Sequence, residues 1–240
     1  MEYVVIIYTI ILVMNKKYFD KIYCINLDSR IDRWAYCSEE FKKLGIENEV
    51  ERFPGIALSP GIAGCTRSHY EVIRLAKQNK FNNVLILEDD FTVTCDNFSQ
   101  VLDKAVEQLK VHDVEYDILY LGGNLSTDTS KNYLVDSNLA KLTYCKTTHS
   151  YIINSSAYDI FLDIFNHVDW DNPNNWTHTN NNRLNIDVSI IKHVQSRGKT
   201  FGVYPCLTEQ RAGYSNLTYS INYFNLSKSY NEILGNTKHE

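Results

Sequence analysis

An apolar run, Val84-Leu85-Ile86-Leu87, passes without a break into three carboxylates, Glu88-Asp89-Asp90. Flanked by Asn82-Asn83, the run predicts a strand covered on both faces, and in open α/β sheets ligand crevices lie beyond the carboxyl ends of such strands. Adjacent carboxylates repel one another unless a cation or a hydrogen-bond network offsets the repulsion. Their hard oxygens suit Mn²⁺ or Mg²⁺, ions that commonly bridge carboxylates to a substrate phosphate. In an extended chain the first and third residues of a triplet share a side, which pairs Glu88 with Asp90. A solvated acidic loop after a strand is the plainer alternative, and the triplet by itself leaves both open.

Two further strings carry donors for an anion. Arg30 and Arg33 follow the first predicted strand, and their planar forks match phosphate oxygens or uracil carbonyls. Surface charge on a capped helix would also account for them. Ser68 and His69 lie near a predicted helix start, where the positive end of the helix dipole favours a phosphate or a sugar hydroxyl. A lone helical histidine is more often structural. Gly122-Gly123, after another buried strand, either lets the backbone approach a ligand closely or makes a plain tight turn.

Positioning these groups requires alternating strands and helices. Lys21 to Leu27 reads as a first strand, and Asp28-Ser29-Arg30 turns into a helix from about Asp32 to Leu44, with Ser29 and Asp32 as its cap and Gly45 closing it. Glu49 to Phe53 is a second strand, broken by Pro54-Gly55. An amphipathic helix carrying Val72, Ile73, Leu75 and Ala76 follows the string Gly64-Cys65-Thr66-Arg67-Ser68-His69 and runs to about Gln78; the acid-tipped strand comes next. Phe98 to Val111 has helical spacing, and Tyr116 to Leu121 is another buried strand. Lys141 to Tyr144 and Ser150 to Ile153 read as strands of a mixed or antiparallel part, and Ser155 or Ser156 caps a helix to about Phe165. Ile186 to Ser196 is helical, Thr200 to Tyr204 is a last strand, and the tail from Gln210 is polar and rich in Tyr. Asp171 to Asn185, an Asn-rich loop containing Trp176 and preceded by Trp170, is long enough for a lid or an acceptor-facing segment. The pattern predicts an α/β fold, a mostly parallel central sheet flanked by helices.

With 240 residues, 44% of them hydrophobic, the chain can bury the core of one large domain. The expected organisation is an apolar extension over 1–14, the main domain over 15–232 and a polar tail over 233–240. Tyr3 to Val13 is nearly all apolar, follows Glu2 rather than a basic region, and is shorter than the ~20 residues that a membrane span takes. A signal peptide, a signal-anchor fragment and an added strand stay open for it; the reading taken is a dispensable extension, with no integral membrane span. A formal net charge of -5 provides no basic field for nucleic acid, so a bound phosphate requires a metal or a local Arg cluster. Cys24, Cys37, Cys65, Cys95, Cys145 and Cys206 show neither zinc-ribbon pairs nor the density of a disulfide scaffold. They read as free thiols of a reducing compartment, which points to the cytoplasm or the cytoplasmic face of a membrane.

Taken together, Ile25-Asn26-Leu27-Asp28-Ser29-Arg30-Ile31-Asp32-Arg33, the Gly64 to His69 string, Leu85-Ile86-Leu87-Glu88-Asp89-Asp90 and Thr148-His149-Ser150-Tyr151 resemble glycosyltransferase family 25. That family includes bacterial lipooligosaccharide galactosyltransferases and collagen hydroxylysine galactosyltransferases. The resemblance runs from Lys21 to Ser215 in the expected order and is weakest over Asn166 to Asn185. It implies a GT-A type nucleotide-sugar fold, a UDP-galactose or UDP-glucose donor, Mn²⁺ (or Mg²⁺) as cofactor, inversion at the anomeric carbon, and a glycan or hydroxylysine-bearing polypeptide as acceptor. Asn26, Leu27, Arg30 and Arg33 would then receive the nucleotide, with Ser68 and His69 on the donor's phosphate or sugar. Likeness to the DxD arrangement makes Asp90 the metal ligand, with Glu88 on the ribose, the metal or its water, and Asp89 supporting the turn. Asp187 matches the family's late Asp and becomes the base that takes the acceptor's proton, against a plainer reading as a helix N-cap. His149 and Glu209 are the reserves, and Pro205, Gln210 and Ser215 resemble the family's closing pattern. Independently of the name, sugar transfer from UDP must stabilise a departing diphosphate, and a carboxylate-held metal is the obvious electrophile in an acidic protein. The expected activity is metal-dependent, inverting hexosyl transfer. A metal-dependent phosphoesterase or nucleotidyltransferase and a catalytically silent nucleotide- or glycan-binding domain stay open as alternatives.

Overall fold

In chain order the first half of the protein reads β1 (Lys21–Asn26), α1 (Ile31–Leu44), β2 (Val50–Pro54), α2 (Gly61–Gln78) and β3 (Asn83–Glu88). The computed structural model describes residues 18–128, 130–172, 184–215, 220–222 and 226–237. β1 pairs in parallel with β2 on one side and with β3 on the other. Side chains alternate across a strand with a period of two, so Ile22, Cys24, Leu85 and Leu87 pack with Cys37, Phe41 and Leu44 of α1. Their neighbours Tyr23, Val84 and Ile86 pack on the opposite face with Val72, Ile73 and Ala76 of α2. The chain therefore winds out to β2 over one face and returns to β3 over the other. The carboxyl ends of β1 and β3 flank the resulting switch point, the place where open α/β sheets form their ligand crevice.

The remaining elements are β4 (Phe91–Val93), α3 (Phe98–Val111), β5 (Ile118–Tyr120), β6 (Asn124–Leu125), β7 (Asn132–Asp136), β8 (Leu139–Leu142), β9 (Cys145–Lys146), β10 (Ser150–Asn154) and α4 (Tyr158–Phe165). After them come α5 (Ile186–His193), β11 (Thr200–Val203), β12 (Thr208–Gln210), β13 (Gly213–Ser215), β14 (Ser220–Asn222) and α6 (Leu226–Gly235). Eight strands form the central sheet in the order β2-β1-β3-β10-β5-β11-β8-β7. Only β10 and β8 run against the common direction, since each is antiparallel to both of its neighbours. Phe98, Val101 and Leu102 of α3 join the α1 face, while Phe161 and Phe165 of α4, Ile190 of α5 and Tyr230 and Leu234 of α6 join the α2 face. The expected α/β architecture, a mostly parallel sheet with helices on both faces, is what forms.

Several local expectations change. Arg30, not Ser29, occupies the N-cap position of α1, with no side-chain cap, while Gly45 closes the helix at φ 65° as expected. The 3-10 turn before α4 is capped by Asn154, whose side chain accepts from the Ser156 N–H, rather than by a serine. β4 and β12 pair antiparallel to one another, and neither was expected, because three residues are too few to show a period of two. Helix α6 lies in what reads as a polar tail and is held by Tyr230 and Leu234, buried and one turn apart. All six cysteines are unpaired. Among the described residues no helix is long and apolar enough to cross a membrane. The extension over 1–14, the loop from residue 173 to 183 with its Trp176, the side chain of Ser215 and the last three residues lie outside the described residues.

Gly122 admits the backbone of Thr208 and Gly123 the side chain of Cys145, where a ligand was the alternative. A Cβ on Gly122 would stand 1.9 Å from the Thr208 carbonyl oxygen, and one on Gly123 would stand 2.2 Å from Cys145 Sγ. Here Leu207 and Thr208 both donate N–H bonds to the Leu121 carbonyl, at 2.8 and 3.2 Å. Gly122→Ala should displace β12 and cost about 1–3 kcal/mol, the usual range for overpacking. Urea denaturation of the variant tests this, and an unchanged midpoint would contradict it.

Candidate active site

Past the carboxyl ends of β1, β2 and β3 lies an open cleft of about 200 Å³, whose lining includes Leu27, Arg30, Arg33, His69, Glu88 and Asp90. Glu88 continues the parity of Val84 and Ile86 and so points toward the α2 face. The chain turns at Asp89 and Asp90, so strand alternation does not extend to Asp90; what it shares with Glu88 is the lining of the cleft.

The middle acid turns away from its neighbours. Asp89 accepts from Asn26 Nδ2 at 2.8 Å and from Arg33 Nη1 at 2.6 Å. Asn26 also donates to the Arg30 carbonyl at 3.0 Å and accepts from Arg52 Nε at 2.9 Å. With 1% of its surface exposed, Asn26 is an internal brace and not the nucleotide-facing group that was expected. Leu27 does line the cleft, and its carbonyl accepts from the Arg30 N–H at 2.8 Å. Arg30 holds Asp32 through both Nε and Nη2, at 3.0 and 2.9 Å, and these bonds keep the Asp32 carboxyl down at about 2. Arg33 reaches from Asp89 to Asp90 Oδ2, 3.4 Å away. Ser68 lines the cleft, and its hydroxyl is bound into the fold, donating to the Gly64 carbonyl at 2.7 Å and accepting from the Ile56 N–H at 2.8 Å. It thereby ties the loop after β2 to α2, where a Cβ on Gly64 would stand 2.3 Å from the Ile56 oxygen.

Asp90 is the least compensated group of the cleft. Its Oδ1 is buried and makes no hydrogen bond. Burial, then Glu88 and Asp89, push its carboxyl up to about 7 against the opposition of Arg33 and Gln210. The Gln210 and Arg211 segment arrives through β12, and the Arg211 N–H donates to the Asp90 carbonyl at 2.6 Å. A buried carboxylate oxygen without a donor, beside further carboxylates, is a donor set that a hard divalent cation fits. Glu88 is compensated instead. Burial raises its carboxyl, but His69, the Thr148 hydroxyl at 2.7 Å and His149 outweigh that and leave it below the ordinary range.

His69 is fully buried, with Nδ1 2.8 Å from Tyr151 Oη and Nε2 3.3 Å from Glu88 Oε1. Asp187 sits in the first turn of α5, but the cap of that helix is Asn185, whose Oδ1 accepts from the Val188 N–H at 3.3 Å. Asp187 instead accepts from the Thr147 N–H, and burial followed by the nearby Glu88 charge raises it to about 6. Of the reserve bases, Glu209 is committed to Ser227, accepting from its hydroxyl at 2.6 Å and its N–H at 3.3 Å. His149 is fully buried, which pushes its imidazole down to about 4. Thr148 and Cys65 also belong to the site without having been given a role. Cys65 was legible, since it stands one helical turn before His69.

Residues 50–175 match the family model described as glycosyltransferase family 25 (LPS biosynthesis protein). An inactive glycosyltransferase 25 family member 3 of Homo sapiens is 27% identical over 95 residues, which are 38% of this chain and 16% of that protein. A glycosyltransferase 25 family member of Drosophila pseudoobscura pseudoobscura is 26% identical over 169 residues, 58% of this chain and 26% of that protein. The chain thus spans only about a sixth to a quarter of the curated relatives it matches. Among solved structures, a glycosyltransferase involved in the glycosylation of the major capsid of PBCV-1 aligns with a TM-score of 0.47 and 12% identity, over 88% of this chain and 98% of that one.

The raised Asp90 carboxyl predicts a pH dependence of stability. Between the ordinary carboxylate value near 4 and about 7 the folded chain holds a proton there that the unfolded chain releases, so this group's contribution to stability falls as pH rises through that window. In buffer containing a chelator, Asp90→Asn should melt above the wild type at pH 8, and the difference should close as the pH approaches 4. A variant that melts lower at pH 8 would show that the ionised carboxylate is compensated.

Proposed function

The chain belongs to glycosyltransferase family 25, and from that premise we propose that it transfers a hexose, galactose or glucose, from a UDP-sugar to a glycan or hydroxylysine-type acceptor with inversion, on a GT-A type fold. The observation that carries the reading is the uncompensated Asp90 Oδ1, in a cleft shared with Glu88 at the switch point of the sheet. Asp90 and Glu88 are the residues that would hold Mn²⁺ or Mg²⁺. When bound, such an ion stabilises negative charge on a departing diphosphate.

The chain's own groups supply the rest. Arg33, anchored on Asp89, keeps a guanidinium beside Asp90, and Arg30 adds a second one at the cleft wall. As the acceptor oxygen bonds to the anomeric carbon, the bond from that carbon to the UDP oxygen breaks and its electron pair leaves with UDP. In this reading the acceptor's proton passes to Asp187, whose carboxyl is close enough to Glu88 to be raised by its charge. A carboxylate raised to about 6 is still mostly ionised at pH 7 and is a better base than an ordinary one, which supports this assignment. A second reading, binding without turnover, draws on the human relative named inactive.

A panel of nucleotide sugars with Mn²⁺, followed by UDP release and product analysis, tests the proposal. One UDP-hexose should be turned over, with the sugar recovered on an acceptor; simple phosphate-ester hydrolysis would favour the phosphoesterase alternative. Activity should fall as pH drops through about 6, where Asp187 takes up its proton. Asp187→Asn should lower kcat by about 10²- to 10⁴-fold. Asp90→Ala should abolish metal-dependent UDP release in a folded protein, and an unchanged rate removes the assignment. Thermal stabilisation by a UDP-hexose without turnover would favour the silent reading.

A further inference from the structure

Among the described residues, one group brings three metal-ligating side chains together, and it is not the acidic triplet. Cys65 Sγ, a His69 ring nitrogen and a Glu88 carboxylate oxygen all lie within 4.8 Å of one another. We propose that Cys65, His69 and Glu88 bind a thiophilic divalent cation of the zinc class, at a site that shares Glu88 with the hard-oxygen site but takes no ligand from Asp90. The inference goes beyond the transferase reading and does not depend on it.

The fold builds this cluster from two elements. Cys65 and His69 are one turn apart on α2 and share a face, and the pleat of β3 turns Glu88 toward that same face. His69 Nε2 is buried and has no hydrogen-bond partner, although it lies 3.3 Å from Glu88 Oε1. The other ring nitrogen stands 2.8 Å from Tyr151 Oη. A neutral ring that donates its Nδ1 proton to that oxygen frees the Nε2 lone pair for the metal, in place of an Nε2–H facing Glu88. A partner of this kind fixes the tautomer and orientation of metal-ligating histidines. Thr148 donates to Glu88 Oε1 at 2.7 Å and steadies the carboxylate in the same way.

Sulfur, imidazole nitrogen and carboxylate oxygen are zinc's ligand types, whereas Mn²⁺ and Mg²⁺ favour oxygen alone. Three protein ligands leave a fourth position open, and all three residues line the cleft, which gives the ion its route in. On binding, the Cys65 thiol forms its bond to the metal through sulfur and releases its proton to solvent.

Co²⁺ is the probe, because Zn²⁺ has no d–d spectrum. The complete chain, freed of metal by a chelator, should take up one Co²⁺ with a thiolate charge-transfer absorption that Zn²⁺ displaces. Cys65→Ser should remove that absorption, and Tyr151→Phe should weaken Zn²⁺ binding by about 10- to 100-fold. Asp90→Asn should retain the absorption, which separates this site from the oxygen site. Its absence from the wild type, its survival in Cys65→Ser through another thiol, or its loss in Asp90→Asn overturns the proposal. A measurement on the unmutated protein covers any failure of a variant to fold: Zn²⁺ should slow alkylation of Cys65, read by mass spectrometry, by more than about 10-fold. Alkylation at an unchanged rate overturns the proposal as well.

Discussion

The carboxylate of Asp89, held between Asn26 and Arg33, is the interaction on which the rest of the cleft depends. Three consecutive acids at the end of a buried strand are a source of repulsion. The protein resolves it by turning the middle one into the structure, where bonds of 2.8 and 2.6 Å satisfy it. Because those bonds come from the end of β1 and the first turn of α1, the same brace sets the spacing of the two strand ends that flank the switch point. Glu88 and Asp90 are left facing the cleft with opposite electrostatic fates. Glu88 is surrounded by a hydroxyl and imidazoles and is easily ionised, whereas Asp90 keeps an oxygen without a partner and resists ionisation.

That asymmetry is produced by elements distant in the chain. Thr148 and His149 come from the turn into β10, the strand antiparallel to β3, and the Glu88 N–H donates to the His149 carbonyl at 2.9 Å. Gln210 ends β12 and Arg211 follows it, and the position of that strand depends on the missing side chain at Gly122. The Arg211 guanidinium also lies 3.9 Å from the centre of the Tyr36 ring on α1, which links this late segment to the first helix. The acids are thus clamped from both sides of the sheet before any ligand is considered, an arrangement suited to preorganised electrostatics.

Much of this was legible as pattern. The acid tip of β3, the amphipathic α2, the helix over Phe98 to Val111 and the Gly45 stop each follow from local periodicity or a backbone conformation that glycine provides. Less legible were elements whose signal is too short or too sparse. β4 and β12 are three residues each, and α6 exposes polar residues around two buried anchors. Asn26 carries an outward role in the sequence through the family resemblance, and Ser68 through its place near a predicted helix start. Asn26 is buried and spends its bonds on Asp89, Arg30 and Arg52, while the Ser68 hydroxyl is held by its own helix and the loop after β2, and only the distances reveal this.

What the sequence determined by itself was the alternation of the longer strands and helices, the location of the acids at a strand end and the membership of a glycosyltransferase family, since all three rest on patterns along the chain. Which acid turns inward, which face Glu88 shares with Cys65 and His69, and how strongly Asp90 and Asp187 resist ionisation were decided only by tertiary structure. The physical reason is that desolvation and Coulomb interactions depend on distances between residues far apart in the chain, and no local pattern encodes those distances.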